Sequence, residues 1–252
     1  MSLHLVIAIV LSTVVGVSLG LLGGGGSILA VPLLVYVARL DVHVAIGMSL
    51  AVVGATALGG AIVHGRAGRV DLKAALLFGV AGMTTAPLGA QASHAVAHRV
   101  LLLLFATLMI VVGGLMLRGR RAGSHGVLHR PRRLAVVGAG MGVGLLTGFL
   151  GVGGGFLIVP ALTLLAGLPI HTAVGTSLLV IAMNAAAGLA GHLGQGEIPL
   201  GLTAAFTAAS LLGAFVGGRL SARFEPGRLR RAFAVFVILI GLALLAANVR
   251  PV

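Results

Sequence analysis

Two stretches of this chain could hold a ligand with no charged side chain at all. They are Gly20-Leu-Leu-Gly-Gly-Gly-Gly-Ser-Ile-Leu-Ala-Val-Pro32 and Gly148-Phe-Leu-Gly-Val-Gly-Gly-Gly-Phe-Leu-Ile-Val-Pro160. Each is a glycine cluster between apolar runs, closed by a proline. Where glycine interrupts a helix, the first N–H groups of the following half-helix have no intrahelical partner. They can then face an anion. Gly24, Gly25, Gly26 and Ser27 hold that place in the first copy, and Gly153, Gly154 and Gly155 hold it in the second. The competing role of a membrane glycine is close helix packing. Runs of three and four glycines exceed what packing needs, so the clusters are read as binding breaks and the isolated glycines elsewhere as packing residues.

A second pair of stretches follows the first. His43-Val-Ala-Ile-Gly-Met-Ser49 and His171-Thr-Ala-Val-Gly-Thr-Ser177 each open an apolar segment. Gly47 and Gly175 permit close backbone approach. Ser49, Thr176 and Ser177 can donate hydroxyl hydrogen bonds to an anion, although such hydroxyls more often bond back to their own helix. Asn184 and its counterpart Thr56 lie further along the same segments. A buried amide needs a partner, and either a neighbouring helix or a substrate can supply it. His64 and His192 end these segments. They are the candidates for proton coupling because imidazole titrates near neutral pH, with a headgroup-wetted boundary histidine as the alternative. Asp41, Asp71, Glu197 and Glu225 all fall at segment ends. That argues against a carboxylate proton relay or a carboxylate cation site inside the membrane. Helix-end dipoles without interior carboxylates favour a small anionic substrate.

Other chemistries fit less well. Gly20 to Ser27 with Asp41 some way on resembles a dinucleotide fingerprint, but Pro169 stands where Asp41 should recur and no Gly-Lys-Ser/Thr follows. A hydrolytic Ser177–His192 pair would be spaced about 22 Å apart along one helix. A membrane scaffold would not need the glycine breaks. No catalytic residue, metal or cofactor is expected. With no cysteine in the chain, disulfides and thiolate ligands are excluded.

The elements that must position these residues follow from composition. The chain is 59% hydrophobic and 8% charged, with a mean hydropathy of +1.18. A soluble domain carries about 25% charged residues, so this chain is read as an all-α polytopic membrane protein. Its formal net charge of +13 would suggest nucleic acid in a soluble protein. Here the arginines sit in short loops between apolar spans, so no nucleic acid is expected and the lipid bilayer is the partner. Oligomerisation is left open. The start, Met1 to Val10, lacks a basic leader and runs directly into the repeat at Gly16, so it is read as the first membrane helix.

The glycine motifs are part of a larger duplication. Gly16 to Leu117 aligns with Gly144 to Leu245 without a gap, at roughly one identity in three. Each half then holds five segments. The first half has 3–22, 27–38, 43–63, 71–92 and 99–117, and the second has 134–150, 155–166, 170–191, 199–219 and 229–248. The second segment of each half is near 18 Å long at 1.5 Å per residue, short of a core about 30 Å thick. It should be re-entrant or discontinuous. The chain divides into a first membrane repeat (1–117), a basic cytoplasmic linker (118–133) and a second membrane repeat (134–252).

Loop charges orient the halves. The linker carries six arginines, and the loop from Arg219 to Arg231 holds Arg219, Arg223, Arg228, Arg230 and Arg231 against Glu225. Both should be cytoplasmic. The loop from His64 to Lys73 has Arg66, Arg69 and Lys73, whereas its equivalent from His192 to Pro199 has only Glu197. Equivalent loops thus fall on opposite sides, which predicts an inverted-topology repeat with both termini outside.

Gly148 to Pro160, followed by His171 to Ser177, resembles the TauE/SafE sulfite exporter family, also called the four-toluene-sulfonate uptake permeases. The resemblance extends over nearly the whole chain, in both halves. It implies a multi-pass carrier in the plasma membrane of a bacterium, acting as a secondary transporter and exporter. Its substrates would be sulfur-containing anions such as sulfite, thiosulfate, sulfoacetate and other organosulfonates, moved with proton coupling. The first copy departs from the pattern at Gly24, Ser27 and Met48, so the halves should contribute unequally.

Overall fold

The computed structural model describes residues 3–93, 98–118, 133–150, 155–192, 199–221 and 223–249. All regular structure among them is helical. The first half contains α1 (Leu3–Leu22), α2 (Ser27–Pro32), α3 (Val42–Arg66), α4 (Leu72–Ser93) and α5 (His98–Arg118). The second contains α6 (Arg133–Leu150), α7 (Gly155–Pro160), α8 (Ile170–His192), α9 (Leu200–Ser221) and α10 (Pro226–Val249). Four of these are long and apolar enough to cross a bilayer, at His4–Leu22, Val44–Arg66, Ile170–Leu189 and Leu200–Ser221. Large apolar side chains such as Val10, Val14, Leu212 and Leu239 lie on the outer surface. With lipid as the solvent, that is where they belong.

Local chemistry explains the short elements. Pro32 and Pro160 have no N–H, and a proline ring pushes away the carbonyl four residues back. The helix widens after each into a π turn, at Leu33–Val37 and Ala161–Leu165. Each π turn closes with the same two bonds. Ala38 and Leu40 N–H donate to Leu33 and Leu34 O, and Ala166 and Leu168 N–H donate to Leu162's neighbour Ala161 and to Leu162 itself. Both turns need one left-handed residue, which is Arg39 (φ 55°) in one copy and Gly167 (φ 73°) in the other. The second suits that conformation better. Helix α10 begins at Pro226, three residues before the expected start, because proline is pre-formed for the first position of a helix.

The halves interlock. Helix α1 packs on α9, α4 on α6, α3 on α8, and α5 on α10. Small residues make the contacts. A side chain at Gly16 or Gly20 would run into the α9 backbone at Ser210 or Ala214, and one at Gly213 or Gly217 would run into α1 at Thr13 or Val17. Ser210 Oγ also donates to Ser12 O at 2.9 Å. Gly140 and Gly144 meet Phe78 and Gly82 in the same way, beside a 2.8 Å bond from Thr85 Oγ1 to Met141 O.

These contacts also give direction. Residue numbers rise together along α1 and α9, and along α4 and α6. They run opposite along α3 and α8, where Gly54 lies by Ala185, Gly60 by Leu178 and Gly188 by Leu50. They run opposite again along α5 and α10, where Gly113 lies by Ala234 and Ile238, and Gly241 by Ala106 and Ile110.

Candidate functional site

The chain reverses at the first glycine cluster. Gly23 takes φ 73°, and Gly24–Gly26 form one tight turn that leads into α2. Gly26 then lies against Val15 and Leu19, so α2 heads back along α1. With its π turn, α2 covers 11 residues, about 16 Å at 1.5 Å per residue.

The two breaks meet. A Cβ on Gly24 would fall on the backbone of Gly155, its nearest atoms being the Gly155 carbonyl and Cα. A Cβ on Gly155 would in turn face Ser27 Oγ at 2.5 Å, Gly24 O at 2.9 Å and Ile181 at 3.2 Å. One at Gly23 would meet Ser177 Oγ at 2.6 Å and Val159 at 2.9 Å. At Gly25 the nearest atoms belong to the rings of Phe236 and Phe233, at 3.0 and 3.5 Å. Two half-helix starts, two serines and an aromatic wall therefore share one buried point. The backbone atoms that meet there include the Gly155 and Gly24 carbonyls, and the Ser27 N–H donates to Gly24 O.

Of the residues singled out from sequence, Gly24, Gly25, Gly26, Ser27, Gly155 and Ser177 come together here. Both serines bond back to their own chain. Ser27 Oγ donates to Gly24 O at 2.7 Å and Ser177 Oγ to Val174 O at 2.8 Å. Their lone pairs remain available, but the hydroxyl protons are engaged. Gly153 and Gly154 lie outside the described residues.

Gly175 and Thr176 contact the loop between α3 and α4. A Cβ on Gly175 would strike Arg69 O and the His64 side chain. Thr176 Oγ1 accepts a 3.0 Å bond from the Asp71 N–H. Together they anchor the loop between α3 and α4, and Asp71 Oδ1 accepts from Ala74 N–H to start α4. Gly47 and Ser49 are buried on α3, at the positions equivalent to Gly175 and Ser177.

Asn184 lies two turns along α8 from Ser177, on the same stripe as Ile181. Its Oδ1 is buried with no partner, and so is Oγ1 of the equivalent Thr56. Leaving such an atom unpaired costs about 1–3 kcal/mol. The two equivalent helices thus carry an unsatisfied polar atom at the same position of the repeat.

His64 is 1% exposed at the meeting of four helices. Its Nε2 is 3.1 Å from Gly20 O. A carbonyl only accepts, so Nε2 carries a proton. Its Nδ1 is buried without a partner. His192 ends α8, and its side chain lies outside what is described. Helix α8 is unbroken from Ile170 to His192, which places Ser177 and His192 about 22 Å apart along its axis. They form no dyad within one chain.

Sequence reasoning missed Phe233 and Phe236. An aromatic residue in an apolar helix carries no signal of its own, and the match of Phe105 to Phe233 across the repeat was the only hint available.

Comparison with known proteins places this geometry in a group. Residues 8–244 match the family model described as sulfite exporter TauE/SafE. The chain is 36% identical over 244 residues to a probable membrane transporter protein of Xylella fastidiosa (strain 9a5c), with 94% of each chain covered. It is 27% identical over 236 residues to the probable membrane transporter protein YdhB of Bacillus subtilis (strain 168), covering 91% of this chain and 96% of that one. No solved structure matches.

Proposed function

The chain belongs to the sulfite exporter TauE/SafE family and is a multi-pass membrane transporter, and we propose that it moves a small sulfur-containing anion through the meeting point of its two glycine breaks. Sulfite, thiosulfate and organosulfonates are the substrate class, and export across a bacterial plasma membrane is the direction. The contact of Gly24 with Gly155 carries this reading. It brings the two helix starts together, and N–H groups at helix starts can hold an oxyanion without a cation. Ser27 and Ser177 add polar atoms beside it, and Asn184 lies two turns further along α8.

In this reading residues 1–117 and 134–252 are inverted repeats, joined by the basic linker 118–133. The antiparallel pairing of equivalent helices, α3 with α8 and α5 with α10, supports a two-fold axis lying in the membrane plane. Charge supports it too. Because α3 and α9 run the same way, Arg66, Arg69 and Lys73 fall at the same end as Arg219, Arg223 and Arg228, which is the cytoplasmic end by the positive-inside rule. With Asp41, Asp71 and Glu225 at element ends, a coupled proton rides on His64, on His192 or on the substrate.

The test is uptake into vesicles reconstituted with the full chain, comparing sulfite, sulfate, thiosulfate, sulfoacetate and taurine. Flux of at least one sulfur oxyanion above protein-free vesicles is expected, with neutral amino acids inert. Flux of none of them overturns the assignment.

A further inference from the structure

A second binding place lies on the outside of the bundle. Between α3 and α9 runs a groove of about 410 Å³, lined by Gly59, Val63, Ala208, Leu211, Leu212 and Phe215. Both walls are membrane spans. Gly59 opens the groove, since a Cβ there would meet Leu211 at 2.5 Å. Leu212 is 68% exposed, so none of the described helices covers it.

One end of the groove is cationic. Arg66 follows Val63 by three residues and Arg219 follows Phe215 by four, and that spacing keeps each on the groove face of its helix. The two helices run parallel, so both arginines reach the same end. Arg219 already stacks on the groove wall, with its guanidinium carbon 3.5 Å from the centre of the Phe215 ring. The stacking orients a planar fork of donors toward the headgroup level. Among the described residues no carboxylate pairs with either arginine, and the nearby Glu225 is bonded to Arg228 at 3.4 Å.

We propose that this groove is a specific site for an anionic phospholipid. One acyl chain lies between Gly59 and Phe215, and the phosphate is held by Arg219 and Arg66. Apolar lining alone would accept any lipid chain. The two arginines at one end select the anionic headgroup, since guanidinium groups bind phosphate bidentately. A zwitterionic lipid brings its own cation to the same place and loses that advantage. The site is separate from the glycine breaks and stands whether or not they bind a sulfur anion.

The chain has no tryptophan, which makes a direct test available. Leu212→Trp places a single fluorophore in the groove, and Val111→Trp places one on the lipid-facing surface of α5, where Val111 is 52% exposed. Each full-length variant is reconstituted with brominated phosphatidylglycerol or brominated phosphatidylcholine and the quenching compared. At position 212 the anionic lipid should bind roughly thirtyfold better than the zwitterionic one, as two cationic contacts imply. At position 111 the two should bind alike. Adding Arg66→Gln and Arg219→Gln should bring the ratio at 212 to that at 111. Equal quenching by both lipids at 212 in the parent background overturns the proposal. So does protection of that tryptophan from both, which would mean that a second copy of the chain covers the groove.

Discussion

Gly24→Ala is the sharpest perturbation of the site. The added methyl would coincide with the Gly155 carbonyl, and the three nearest atoms all belong to the Gly155 backbone. No side chain can rotate out of the way, so one break must move off the other. Overpacking of this kind costs about 1–3 kcal/mol. For a chain of this size that lowers the melting temperature by roughly 3–10 °C, a loss the fold can absorb. Transport should fall to background, because the two half-helix starts no longer share one point. Two controls separate site from packing. Gly140→Ala meets the Phe78 backbone at the α4/α6 contact and should lower the melting temperature comparably while leaving the KM for substrate in place. Gly142→Ala has no heavy atom within 4 Å of its new methyl, and should gain about 0.5–1 kcal/mol from helix propensity. The assay is flux into proteoliposomes, alongside melting of the same preparations followed by size-exclusion chromatography. Parent-like flux and melting in Gly24→Ala would refute the contact and the site built on it.

Other residues make separate predictions. Thr176→Val removes the acceptor for the Asp71 N–H and should cost about 1 kcal/mol of stability, as loss of a helix cap does, with KM unchanged; a raised KM would return Thr176 to the substrate. Thr56→Val and Asn184→Leu erase unpaired buried atoms, so melting should hold or rise while flux falls. Undiminished flux would make both residues packing alone. His64→Gln keeps a donor for Gly20 O, and paired with His192→Gln it should flatten the pH dependence of gradient-driven flux; an unaltered profile leaves the substrate as the proton carrier. Because the chain has no cysteine, single cysteines report topology cleanly. Position 199 should react with impermeant reagent outside intact cells and position 223 should not, and the reverse result would invert the arrangement.

The duplication was legible because its signs are covalent. The proline before each π turn and the glycine clusters recur 128 residues apart, and every element start follows that offset from Ser27/Gly155 to His98/Pro226. The arginines give the loops an expected orientation by the positive-inside rule, which the cysteine labelling above tests. Partnership between helices was not readable. A span that is apolar on every side offers no face to identify, and Gly16, Gly20, Gly213 and Gly217 announce close packing without saying on what. The contacts of Gly175 and Thr176 with the loop after α3 were not readable for a related reason. A small residue and a hydroxyl look the same in sequence whether they meet an anion or the loop that ends in Asp71.

The contact between the breaks also explains why the two copies differ where they do. Residues that face one another across a two-fold axis occupy the same space twice. If Gly155 carried the hydroxymethyl of its counterpart Ser27, that group would lie against Ser27 Oγ and Gly24 O. Only one copy can therefore hold a serine at this position, and the other must be glycine. The same reasoning does not reach Thr56 and Asn184, which sit apart on their own helices and are free to diverge in chemistry while both stay polar. An inverted repeat with identical halves would give its inward-open and outward-open states equal energy. In such a repeat, an asymmetry like that of Ser27 and Gly155 would remove the degeneracy, and a difference in the stability of the two states would follow before any coupling ion is invoked.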